Sequence, residues 1–235
     1  LMAILNSFSA IKNFIPSRSL QLGSAFGNTG YFGIPVSLAL LPNHALIYSI
    51  GFDLGATLVI WSIGPILLTD PSKVLSSNRY WQNFIKAIFR SPAVKGLIGA
   101  LIVHSSPWNE QITALLWIPS RVVIVLALVI VGMRLSWLRK ENLSRIKIQI
   151  TSIKNALIMK LVGLPVIMLI ISSVIRLPNV MREALVLQSA APTAISVLLI
   201  SQAASRDEEE ATSLVVLSTI IALISIPAWL MILRL

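Results

Sequence analysis

Apolar runs of close to twenty residues, separated by short polar turns, recur along the whole chain. A hydrocarbon core about 30 Å thick needs around 20 apolar residues for a helix to cross it. On that ruler the sequence predicts a partial span at 1–14 and spans at 19–41, 45–68, 93–103, 118–138, 153–175, 184–204 and 211–233. The expected class is an all-α polytopic membrane protein. Because Leu1 already lies inside an apolar run with no charged leader ahead of it, an N-terminally incomplete chain is expected.

Two spans carry interruptions. The first holds Gly27-Asn28-Thr29-Gly30-Tyr31-Phe32-Gly33-Ile34-Pro35, the second Gln188-Ser189-Ala190-Ala191-Pro192-Thr193. In lipid every backbone N–H and C=O must find an internal partner, so a broken helix persists only where it is buried in protein or lines a polar cavity. Pro35 removes an amide and collides with the carbonyl four residues earlier, at Tyr31. The helix is therefore expected to open over 31–34 and restart at Pro35, a favourable first position, and the same holds at Pro192. Each restart presents N–H groups and the positive end of a helix dipole, a pairing that recurs at transporter binding sites.

Gly23, Gly27, Gly30 and Gly33 strip one flank of the first span and allow close crossing. Asn28 and Thr29 on one span, and Gln188, Ser189, Thr193 and Ser196 on the other, are polar and uncharged. On a continuous helix those last four fall within roughly 140° of arc. Such residues glue helices together in membranes; taken as a pair, the two breaks read instead as a site for a carboxylate. Asn28, Thr29, Gly30, Gly33, Pro35, Gln188, Ser189, Pro192 and Thr193 are its candidate substrate-binding residues. No catalytic or metal-ligating residue is assigned.

Composition sharpens the class. The chain is 56% hydrophobic and 12% charged, with a mean hydropathy of +0.85, against about 25% charged residues in ordinary soluble domains. A net charge of +10 would suit nucleic acid, but the cations sort by loop. Lys12 and Arg18 flank one turn. Lys73, Arg79, Lys86, Arg90 and Lys95 fill a second connection, and Arg134, Arg139, Lys140, Arg145, Lys147 and Lys154 a third. The turns at 42–44 and 104–111 hold no Lys or Arg. The positive-inside rule makes the basic loops cytoplasmic and puts the C-terminus outside. The bilayer, not nucleic acid, is the expected partner of that charge.

Trp81, Phe84, Ile85, Ile88 and Phe89 recur at helical spacing, as in a helix lying at the interface or packed on the cytoplasmic ends of the spans. The acidic residues Asp207, Glu208, Glu209 and Glu210 suit the first turn of the last helix. Asp53 lies opposite Gly51 and Gly55 and lines up with Ser49 and Thr57, which makes it the candidate for a coupling proton, with a never-titrating structural carboxylate as the alternative. Lys160 and Arg121 are expected to snorkel to the interface on opposite sides. His44 and His104 stand in separate turns, Cys is absent, and neither a nucleophile elbow nor a phosphate loop occurs. The chain is expected to be neither an enzyme nor a cofactor protein.

The stretch 18–41 with its Gly-Asn-Thr-Gly-Tyr-Phe-Gly-Ile-Pro, and 188–227 with Ala-Ala-Pro-Thr-Ala, resemble the auxin efflux carrier family of plant auxin exporters and bacterial dicarboxylate carriers. The resemblance implies ten helices in two inverted repeats, with broken helices 4 and 9 crossing at the substrate. It makes 1–69 the remnant of an incomplete first repeat (part of helix 3, broken helix 4, helix 5), 70–92 a cytoplasmic amphipathic connection, and 93–235 the second repeat (helices 6–10). The expected function is a plasma (inner) membrane secondary transporter that moves a small organic anion, a mono- or dicarboxylate, by alternating access. A channel or a non-transporting scaffold is the alternative, and a homodimer is left open.

Overall fold

A computed structural model describes residues 14–68, 89, 92–135 and 150–234. Most of the partial span at 1–14, nearly all of the amphipathic connection at 70–92 and the basic stretch 136–149 lie outside the described residues. Within them the chain is helical and holds no strand. The helices are α1 (Arg18–Ala25), α2 (Ile34–Leu40), α3 (Leu46–Leu68), α4 (Pro92–His104), α5 (Asn109–Leu135), α6 (Ile150–Val174), α7 (Asn179–Ser189), α8 (Ile195–Ala203) and α9 (Glu208–Leu233). Among the described residues, three segments are long and apolar enough to cross a membrane: Asn43–Trp61, Ile150–Val174 and Glu208–Leu233. This is an all-α membrane protein.

The broken spans are made of short halves. α1 has 8 residues, α7 has 11 and α8 has 9, which at 1.5 Å per residue give about 12 to 17 Å each, about half of a bilayer core. Each half is therefore too short to cross a bilayer core alone.

Two π-helical turns precede prolines. Thr29–Gly33 leads into Ile34-Pro35, and Met159–Gly163 leads into Leu164-Pro165 inside α6. A π turn widens the ring of backbone bonds and makes room for a pyrrolidine that would strike the carbonyl four residues back. For Pro165 that carbonyl belongs to Leu161, and Trp229 of α9 donates its Nε1–H to it at 2.9 Å. A lost helix bond has become a tie between α6 and α9.

α1 divides the core. Leu20 packs with Phe32, Leu157, Leu161, Leu187, Leu214 and Trp229, while Leu22, two residues on, packs with Ile60, Val197, Ile200 and Val215. Ser17 caps the helix by accepting from the Leu20 amide at 3.2 Å. At the far end of the chain, Glu208, Glu209 and Glu210 occupy the first turn of α9, where the dipole favours them. Boundaries moved most at α5, which begins at Asn109 and runs through Pro119 rather than starting near it.

Candidate functional site: the crossing of two broken helices

Backbone groups at the breaks hold one break against the other. Gly27 and Thr193 form an isolated antiparallel bridge. Asn28 N–H donates to Pro192 O at 2.6 Å and Ala194 N–H to Phe26 O at 3.0 Å, so each gap supplies the other's missing backbone partners. The first opening accordingly falls at Phe26, Gly27 and Asn28, before the π turn and not over 31–34. Pro35 sits in the first turn of α2, where the π turn has already absorbed its cost. The second gap runs from the end of α7 at Ser189 to the start of α8 at Ile195. Gln188 and Ser189 thus belong to one half-helix, Thr193 to the gap and Ser196 to the other half, so they do not share one continuous stripe.

Past each gap the helix restarts with amides left over. Thr29, Gly30 and Tyr31 on one side, and Ile195 and Ser196 on the other, donate to no described group. These are the orphan donors that any helix N-terminus leaves.

The four glycines of the first broken span each admit a different helix. A β-carbon on Gly23 would lie 2.6 Å from Leu214 Cδ2 of α9; on Gly27, 3.0 Å from Lys160 Nζ of α6; on Gly30, 3.1 Å from Asp53 Oδ1 of α3; and on Gly33 it would overlap Gln188 Oε1 of α7. The flank does serve close approach, but what approaches is chiefly polar.

Thr193 is fully committed: its Oγ1 donates to Gly23 O at 3.0 Å and its N–H to Ser218 Oγ at 2.9 Å. Gln188, fully buried, donates Nε2–H to Ser37 Oγ at 3.3 Å, and Ser49 lies 2.9 Å from the same hydroxyl, while Gln188 Oε1 has no partner. Thr29 Oγ1 donates to Asp53 Oδ1 at 2.6 Å, which brings the coupling candidate to the crossing. The Ser189 hydroxyl turns back to Val186 O at 2.7 Å. Asn28 is buried, and its side-chain amide bonds to no other described residue. Pro192 serves through its carbonyl alone.

Lys160 does not snorkel. It is 1% exposed, and its Nζ donates to Ser189 O at 2.7 Å, at the C-terminal end of α7. Its position along α6 could not show this, because only the fold brings Ser189 O and the backbone of Gly27 to its ammonium. The visible signal was the Gly-Leu-Pro that follows it, the same Gly-x-Pro that marks the first break. Arg121 stays exposed on α5 with its guanidinium 4.2 Å from the centre of the Trp117 ring, a cation–π contact one turn nearer the helix start.

A cavity of about 420 Å³ opens beside the crossing, walled by Phe26, Gly27, Phe52, Lys160, Met168 and Ser189 among others. Two broken helices paired gap to gap and flanked by a cavity are the arrangement found at transporter binding sites. The chain belongs to the membrane transport protein family, that of the auxin efflux carriers, whose description matches residues 16–230. No curated protein and no solved structure matches it.

Proposed function

We propose that this transporter is a secondary carrier moving a small organic anion, a mono- or dicarboxylate, by alternating access across the plasma membrane, with the crossing as its binding site. The observation that carries the reading is the set of left-over amides at Thr29–Tyr31 and Ile195–Ser196, beside two gaps whose other backbone groups are paired. Donors of this kind at helix starts favour a negative group. The Asn28 amide adds a side-chain donor, and Gly30, Gly33, Pro35 and Pro192 shape the backbone around it. Gln188, Ser189 and Thr193 complete the candidate binding set on the second broken span, where Thr193 ties the gap to Gly23 and Ser218. Asp53, on the Thr29 hydroxyl, is the group through which a proton would couple.

In this reading 1–69 and 93–235 derive from two inverted repeats joined by a cytoplasmic connection at 70–92. Uptake of radiolabelled mono- and dicarboxylates into proteoliposomes tests the function. Saturable uptake of at least one of them is expected, and a protein that moves none while passing neutral solutes overturns the anion reading.

A further inference from the structure

A buried lysine has three donors and a full charge to satisfy. Lys160 has one recorded partner, the Ser189 carbonyl, and no described carboxylate forms an ion pair with it. An uncompensated cation at this depth is costly, so its remaining donors need an acceptor. Lys160 and Ser189 both line the cavity, whose other walls are mainly apolar, among them Phe26, Phe52, Leu164, Ile167 and Met168. Gly27 makes this possible, since its bare Cα lets the ammonium reach the first gap, where a β-carbon would stand 3.0 Å from Nζ.

Resting on the anion reading above, we propose that Lys160 is the charge partner of the transported anion. The ammonium donates to Ser189 O and turns its other donors to the anion when cargo enters. Lys160 thereby links the cargo to both breaks, through Gly27 on one and Ser189 on the other. Asp53 lies across the same segment at Gly30, so cation and carboxylate approach the first broken span from α6 and α3 respectively. The anion's charged end therefore belongs on the α6 side of the crossing.

The chain has no cysteine, which allows a chemical test. Lys160→Cys is purified in detergent and its binding of radiolabelled acetate, benzoate and malonate is compared with that of the native protein. Loss of roughly 10- to 150-fold in affinity is expected, the range for a hydrogen bond to a charged group. Aminoethyl methanethiosulfonate, which installs an ammonium on the new thiol, should restore binding; methyl methanethiosulfonate, which installs none, should not. Bound anion should slow the modification, an effect that a purely structural lysine would not produce. Lys160→Met keeps the apolar stem and gives the same comparison should the cysteine variant not fold. If native protein binds an anion and both variants bind it equally well, or if saturating anion leaves the modification rate unchanged, the role of Lys160 is overturned and the anion site stands. If the native protein binds none of the three, the anion reading itself fails and this role with it.

Discussion

Gln188 rests its side-chain oxygen directly on the backbone of Gly33, so close that a β-carbon there would overlap Oε1 and stand 2.9 Å from Cδ. Since Gln188 is fully buried and tied to Ser37, it cannot swing away without losing that bond. Gly33→Ala should therefore cost about 1–3 kcal/mol, the usual penalty of overpacking. Trimming the partner should remove much of the penalty: Gly33→Ala with Gln188→Ala should melt higher than the sum of the single variants implies. Additive melting temperatures would show that the contact is not the cause.

The prolines should behave differently from each other. Pro35 follows a π turn that an alanine would let tighten into the α ladder, so Pro35→Ala should raise the melting temperature and weaken anion binding. Pro192 contributes a carbonyl that alanine retains, and the gap is held by Asn28 N–H and Phe26 O. Pro192→Ala should accordingly keep the break and bind close to normally. Thermal melts and anion affinities of the two variants check the contrast, and equal behaviour would refute it.

Asn28 offers a side chain that no described group engages. Asn28→Ala should leave stability nearly unchanged while weakening anion binding on the order of 10- to 150-fold, as removal of a donor to a charged acceptor does. A lowered melting temperature with unchanged affinity would mark it as structural.

Asp53 accepts from Thr29, and an amide oxygen can do the same. Asp53→Asn should leave folding intact and flatten the pH profile of uptake measured in proteoliposomes. A profile that still tracks the native one would place proton coupling elsewhere.

Orientation can be read with one introduced thiol. Ser106 lies in the turn between α4 and α5, with Trp108 exposed nearby. Ser106→Cys should react with a membrane-impermeant maleimide on intact cells, as an external turn requires. Reaction only after permeabilisation would invert the topology.

Hydropathy made the long spans legible, because a membrane helix declares itself by composition over twenty residues. The two breaks were legible from Pro35 and Pro192, yet the first was expected several residues too late. A proline reports which helix bond is lost but not how a π turn absorbs the loss, and the opening at 26–28 is fixed by pairing with a segment 166 residues away, Gly27 with Thr193. Lys160 was misread for a related reason: distance along α6 from the loop favours snorkelling, and only the fold brings Ser189 O and Gly27 to its ammonium. Asp53 was singled out by spacing alone, but its partner Thr29 needed three dimensions.

The glycine flank has a mechanical consequence. At Gly23, Gly27, Gly30 and Gly33, side chains from α9, α6, α3 and α7 reach bare backbone. A one-residue screw, about 1.5 Å along the axis with a turn of about 100°, is what would set Ser24, Tyr31 and Ile34 beneath those tips, and their side chains are larger than the β-carbon that would already meet Leu214, Asp53 and Gln188 at close contact. Close contacts of this kind oppose sliding of the first broken span, and a displacement that preserves them would carry Leu214, Asp53 and Gln188 along with it. Under the proposed alternating access, cargo seated at the crossing would keep these neighbours on both sides of the membrane, and a difference in its affinity between the two sides would arise from surfaces outside them.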